Sequence, residues 1–198
     1  QSDEMARSGK SPVKQGSLRI IGGLWRGRKL TFTPADGLRP TPDRVRETLF
    51  NWLQPRLAGS RCLDLFCGSG ALAIEALSRG AASATLVDVS PTVLREVRHN
   101  LDRLGASATE LVAADAVAWI GAMRDRHYDI VFIDPPFGGG TAQRCLQLLA
   151  GSTLLAPGAR VYLECGVAEA APGLPPGWLL HREKFAGQVA YRLYLAPD

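Results

Sequence analysis

From Arg61 onward, short apolar runs alternate with stretches whose apolar residues recur every three or four positions. The runs predict strands near residues 61–66, 84–88, 109–113, 129–134 and 159–165, and the helical spacing predicts helices over about 70–79, 91–104, 115–123 and 141–150. Apolar runs separated by amphipathic helices signal a parallel sheet covered on both faces. The alternation stops at the end of the chain. There, Trp178 to Lys184 and Val189 to Leu195, joined through Ala186, Gly187 and Gln188, read as a terminal antiparallel hairpin. The expected fold is therefore α/β, with a mostly parallel seven-stranded sheet finished by that hairpin, which is not the dinucleotide dehydrogenase pattern.

The front of the chain follows another pattern. Residues 1–17 lack apolar periodicity and are expected to be a disordered tail. Leu18 to Ile21 and Arg28 to Phe32, separated by Gly22, Gly23 and Gly27, predict a β-hairpin presenting Arg19, Arg26, Arg28 and Lys29. Thr41-Pro42-Asp43 reads as an N-cap with proline in the first turn, and Val45, Leu49, Trp52 and Leu53 carry one helix to about Leu53, with Arg44 and Arg46 off the apolar stripe. The expected organisation is a basic hairpin and helix over residues 18–58 and a catalytic domain over 59–198.

Composition narrows the picture. A chain of 198 residues, 46% hydrophobic, closes one substantial core. Residues 1–60 carry eleven Lys and Arg against five Asp and Glu, so the front end holds +6 and leaves −2 for the rest of a chain of net charge +4. A localised excess of that size favours a polyanionic partner. No apolar run is long enough to span a bilayer, and the first residues are too polar for a signal peptide, so a cytoplasmic protein is expected. Cys62, Cys67, Cys145 and Cys165 have no CxxC spacing, which predicts reduced thiols and no metal site.

Candidate chemistry lies at the ends of the predicted strands. Asp64 to Gly70 follows a strand and opens a helix, and Gly68 and Gly70 let the backbone turn tightly and approach a ligand. Asp88 ends the second strand, where a carboxylate can accept hydrogen bonds from ribose hydroxyls. Asp115 follows the third strand, where it can cap a helix and also accept from an adenine amine. No lysine follows the glycines, and Ala73 stands where a dinucleotide loop has its third glycine. A nucleoside without phosphates, such as S-adenosylmethionine, suits this loop better than NAD or ATP.

The fourth strand runs into Asp134-Pro135-Pro136-Phe137. Two prolines stiffen the loop and bring carbonyls without competing N–H donors. A conjugated amine is a poor nucleophile, and hydrogen bonds from its protons to Asp134 and the Pro135 carbonyl would hold it pyramidal and stabilise the positive charge developing on nitrogen. Phe137 offers a stacking face for a flipped base.

These residues resemble the class I S-adenosylmethionine-dependent methyltransferases, with a Rossmann-like sheet. Among them the chain is similar to the bacterial 16S ribosomal RNA guanine-N2 methyltransferases of the RsmD type. The likeness covers roughly residues 18–195 and includes the segments Leu18 to Gly23, Trp25 to Leu30 and Arg39 to Phe50. It implies cofactor contact from Asp64, Phe66, Gly68, Gly70, Asp88 and Asp115, with Cys67, Val89 and Ala116 beside them in the same turns. It implies target-amine contact from Asp134 and Pro135, in a loop completed by Pro136, and stacking by Phe137. RNA contact is implied for Arg19, Arg26, Arg28, Lys29, Arg39, Thr41, Arg44 and Arg46. The implied substrate is 16S ribosomal RNA in the 30S subunit or a late assembly intermediate, S-adenosylhomocysteine is the product, and a bulky substrate favours a monomer. Loops of this kind also serve methylation of DNA bases and of glutamine side chains, the last usually with Asn in place of Asp134. The basic front end selects nucleic acid without selecting RNA over DNA. A noncatalytic RNA-binding assembly module would be suggested by loss of Asp64, Gly68, Gly70, Asp88, Asp134 or Pro135, and all are present.

Overall fold

Residues 14–34, 40–136 and 138–198 are described in a computed structural model. An antiparallel ribbon of β1 (Gly16–Arg19) and β2 (Lys29–Phe32) precedes helix α1 (Asp43–Leu57). Next come β3 (Arg61–Asp64), α2 (Ala71–Ser78), β4 (Ser83–Asp88), α3 (Pro91–Leu104), β5 (Thr109–Ala113), α4 (Ala116–Ala122), β6 (Tyr128–Ile133), α5 (Thr141–Ala150) and β7 (Leu155–Gly166). The chain closes with β8 (Leu179–Ala186) and β9 (Val189–Leu195).

The sheet order is β5-β4-β3-β6-β7-β9-β8, with β3 to β7 parallel and β9 antiparallel to both β7 and β8. This is the Rossmann-like sheet with a terminal hairpin that the alternation predicts. The chain leaves β3 toward β5 and returns to β6 on the other side of β3. Open α/β sheets place their ligand crevice at such a reversal, beyond the strands' carboxyl ends.

Each face of the sheet has its own core. Val131, Ile133 and Leu163 pack under Trp119 and Ile120 of α4 and Leu146 and Leu149 of α5. On the other face, Phe132, Tyr162 and Tyr191 lie with Leu49, Phe50, Leu53 and Leu57 of α1, all four fully buried. At roughly 1.5–3 kcal/mol for each large side chain withdrawn from water, that helix is part of the core. Its burial carries it past Leu53 and through Pro55 to Leu57, further than the apolar spacing suggests.

The ribbon also departs from expectation at both ends. β1 begins at Gly16, inside the segment read as a tail, because the Phe32 ring packs where a Cβ would stand, 2.6 Å from that position. Ile20 still donates across the ribbon to the Arg28 carbonyl at 2.9 Å, and beyond it the amides turn to other partners. Ile21 and Gly22 donate to the Glu75 carboxylate of α2 at 2.8 and 3.0 Å. Ser78 donates to the Gly22 carbonyl at 2.7 Å and accepts from the Trp25 amide at 2.9 Å. Asn100 of α3 donates to the Thr31 carbonyl at 2.8 Å. The ribbon is therefore sutured to α2 and α3, the helices that follow β3 and β4.

Candidate active site

The parallel register brings one carboxylate to the carboxyl end of each of five adjacent strands. In sheet order they are Asp115, Asp88, Asp64, Asp134 and Glu164. Neighbouring strands lie about 4.8 Å apart, so the row crosses the crevice from one side to the other. Among the described residues no group of three or more His, Cys, Asp or Glu is arranged to hold a metal ion. By its neighbours the row falls into two halves of different chemistry.

The first half surrounds the glycine turn. Gly68 and Gly70 have positive φ of 51° and 80°, and a Cβ on Gly70 would lie 3.2 Å from both Ile74 and Val97. Asp88 accepts from the Gly68 amide at 3.1 Å and the Ser90 amide at 2.9 Å, one on each oxygen, which ties the turn to β4 and leaves lone pairs on both. Val89 beyond it is 69% exposed, an apolar surface beside a polar anchor. Asp115 caps α4 through the Ala118 amide at 2.9 Å, with its second oxygen clear of that bond. Ala116 and Cys67 are buried behind their turns, and Phe66 is half-buried.

Asp64 is the exception in this half. It is 1% exposed, and neither oxygen makes a hydrogen bond of normal geometry, although the Phe66 and Ala73 amides lie on its side. Burial, with smaller contributions from Asp88 and Glu164, pushes its carboxyl from 3.8 up to about 7. A buried carboxylate without a partner is costly, and a cationic ligand group would offset that cost. The turn, the open lone pairs of Asp88 and the apolar Val89 fit an adenosine, and Asp64 fits its positively charged amino-acid end.

A pH dependence follows from Asp64. The folded carboxyl holds its proton more tightly than the unfolded one, so its contribution to stability is complete below about pH 4 and is lost as pH rises through about 7. The loss amounts to about 4 kcal/mol at most, from a shift of roughly three units. Asp64→Asn is expected to flatten the fall in melting temperature between about pH 4 and pH 7 and to weaken S-adenosylhomocysteine binding. Parallel melting curves for wild type and variant would dissociate Asp64 from that titration.

The second half lies against α1. Ile133 pairs with Leu163, so Asp134 and Glu164 are the next residues along neighbouring strands. Thr41 bridges them, its Oγ1 lying 3.0 Å from Glu164 Oε2 and 3.5 Å from Asp134 Oδ2. Burial and the adjacent Glu164 carboxylate hold the Asp134 carboxyl well above the usual carboxylate range. Pro135 is buried and Pro136 exposed, and both line a cleft with Gly138, Glu164 and Glu169. Glu169 accepts from the Gly138 amide at 2.9 Å and the Gly166 amide at 2.6 Å, pinning the loop to the end of β7. Phe137 lies outside the described residues.

The residues expected to meet RNA separate on inspection. Arg19, Arg26, Arg28, Lys29 and Arg44 are exposed, with Arg19 donating to the Gly27 carbonyl at 2.7 Å and Arg28 to the Arg103 carbonyl at 3.0 Å. Arg39 lies outside the described residues. Arg46 is a correction: it is 1% exposed and donates to the Glu75 carboxylate, the Asp43 carboxylate and the carbonyls of Thr41 and Arg19. A guanidinium committed in this way offers nothing to a phosphate. Thr41 is a second correction, since it is 6% exposed and its hydroxyl is turned to Glu164. It caps no amide of α1, whose N-cap position falls to Pro42.

Glu164, Glu75 and Glu169 escape the sequence reading. The first two had a readable signal. Each is a carboxylate inside an apolar run, Val161 to Cys165 and Ala71 to Leu77, where an acid is retained only with partners or a task. All four cysteines are free and buried. No helix among the described residues is long and apolar enough to cross a membrane.

A glycine turn after the first strand of a Rossmann-like sheet, a carboxylate ending the second and an Asp-Pro-Pro loop after the fourth together define a class I S-adenosylmethionine-dependent methyltransferase. The chain belongs to the RsmD family, that of ribosomal RNA small subunit methyltransferase D: the family described as Conserved hypothetical protein 95 matches residues 18–195. Ribosomal RNA small subunit methyltransferase D of Escherichia coli is 50% identical over 187 residues, 93% of this chain and 94% of that protein. The protein of the same name from Haemophilus influenzae is 42% identical over 189 residues, 93% of this chain and 97% of the other. A solved structure from Escherichia coli has a TM-score of 0.84 at 47% identity, covering 92% of this chain and 99% of that chain.

Proposed function

We propose that this protein transfers a methyl group from S-adenosylmethionine to the exocyclic N2 amine of a guanine in 16S ribosomal RNA, with the 30S subunit or a late assembly intermediate as its substrate. The observation that carries the reading is the position of Asp134 and Pro135 at the carboxyl end of β6, beside Asp64 and the glycine turn on the adjacent β3. S-adenosylmethionine supplies an electrophilic methyl group when bound. Asp64, Gly68, Gly70, Asp88 and Asp115, with Phe66, Cys67, Val89 and Ala116 around them, hold the nucleoside and its amino-acid end. Asp134 and the Pro135 carbonyl accept the two amine hydrogens and turn the nitrogen lone pair toward the donor, while Pro136 stiffens the loop and Phe137 stacks on the base.

The exposed arginines and lysine of the ribbon grip the RNA backbone. Charge reversal at Arg26, Arg28 or Lys29 is expected to weaken RNA binding and lower its salt slope by about one per lost phosphate contact, with S-adenosylhomocysteine affinity unchanged. A loss confined to cofactor affinity would make the ribbon purely structural.

The test is transfer of labelled methyl from S-adenosylmethionine to 30S subunits lacking their native methylations, with naked 16S RNA, DNA and protein as parallel acceptors, followed by nucleoside analysis. N2-methylguanosine from the 30S sample supports the proposal. Label only in DNA or protein overturns the substrate, and no label in any sample overturns the activity.

A further inference from the structure

Glu164 has no place in the chemistry described so far, yet the fold brings it to the reacting carboxylate. β6 and β7 are parallel and in register through Ile133 and Leu163, so Asp134 and Glu164 project side by side from the same face. Glu164 is 4% exposed, and Thr41 delivers one hydroxyl to both carboxyls. Two desolvated carboxylates in contact cannot both stay ionised. A hydrogen bond between two such carboxyls requires one of them to carry a proton.

We propose that Glu164 is a positioning residue for Asp134: the two carboxyls share one proton beneath Thr41, which fixes the Asp134 side chain and leaves one of its oxygens facing the incoming amine. This inference rests on the reading of Asp134 as the acceptor for that amine. Before transfer the pair holds one proton and one negative charge. As the amine lone pair bonds to the methyl carbon, the carbon–sulfur bond breaks with its electrons remaining on sulfur, and nitrogen becomes positive. One nitrogen proton then passes to Asp134, leaving the pair neutral with two protons, one of which is later released to water. Glu164 thus holds one oxygen of Asp134 in place while the pair keeps one negative charge to receive the amine proton.

The titratable groups facing the pair are Asp64 from β3, Tyr162 from β7 and, behind Tyr162, Tyr191 from β9. Glu164→Gln removes one charge, keeps the shape and leaves an amide that can donate to Asp134, so Asp134 should ionise more easily. Two measurements on the full chain test this. In carboxyl carbon NMR without acceptor, the wild-type Asp134 signal is expected to change in two steps, and in Glu164→Gln in one step at lower pH. With 30S subunits, Glu164→Gln is expected to lower kcat about tenfold or more and move its acid limb to lower pH, with KM and S-adenosylhomocysteine affinity within about twofold. A single, unaltered Asp134 titration, or wild-type kcat with an unmoved acid limb, would overturn the proposal. If wild type itself makes no N2-methylguanosine, the guanine reading fails, and the titration alone decides whether the pair exists.

Discussion

Asp134→Ala is expected to lower kcat about a hundredfold or more, a loss of at least about 2.7 kcal/mol of transition-state stabilisation, while S-adenosylhomocysteine still binds. The size follows from the role. The substituted chain keeps the glycine turn, Asp88 and Asp64, which lie on other strands, and loses the one side-chain acceptor at the stiff loop. A hydrogen bond that strengthens as positive charge grows on nitrogen is worth more in the transition state than in the bound complex, so the loss should fall on kcat and spare KM. Deleting Asp134 also relieves the burial cost that holds its carboxyl proton, so the variant should be no less stable than wild type above neutral pH. Wild-type turnover by Asp134→Ala would remove this residue from the mechanism. Reduced cofactor affinity would mean that the two halves of the carboxylate row are not separate.

The second large effect belongs to Glu75, far from any reacting atom. This fully buried carboxylate accepts from the amides of Ile21 and Gly22, from Arg79 at 3.0 Å and from Arg46 at 3.4 Å. Glu75→Ala leaves a buried guanidinium and two part-buried amides short of their acceptor, a cost of about 3–5 kcal/mol. For a chain of this size that is a drop in melting temperature of roughly 6–20 °C. Glu75→Gln keeps the shape and one acceptor oxygen and should lose less. A Glu75→Ala protein melting within about 2 °C of wild type would show that the ionic hub contributes little beyond its desolvation cost.

The contrast between these two residues shows what the sequence can reveal. Asp134 was legible because its neighbours are prolines at the end of an apolar run, a local signal that needs no partner. The strands and helices from Arg61 onward were legible for the same reason, since each periodicity reports its own burial. Glu75 and Glu164 stand out only as acids inside apolar runs; their roles are not legible, because their partners lie 53 and 123 positions away, at Gly22 and Thr41, and only the folded sheet brings them near. Arg46 was misread for a related reason. A cation off an apolar stripe faces solvent unless a buried anion on another helix claims it, and spacing within one helix carries no information about that anion.

The sutures between ribbon, α2 and α3 have a consequence for selectivity. Because the Glu75 and Asn100 bonds fix the cationic ribbon to the helices that follow β3 and β4, the separation between its exposed charges and Asp134 is set when the chain folds. The molecule then works as a gauge of fixed opening. On the proposed function, an RNA whose phosphates match the ribbon but whose guanine sits at another distance is expected to be held and left unmodified, so good binders that are poor substrates should be common among misassembled particles.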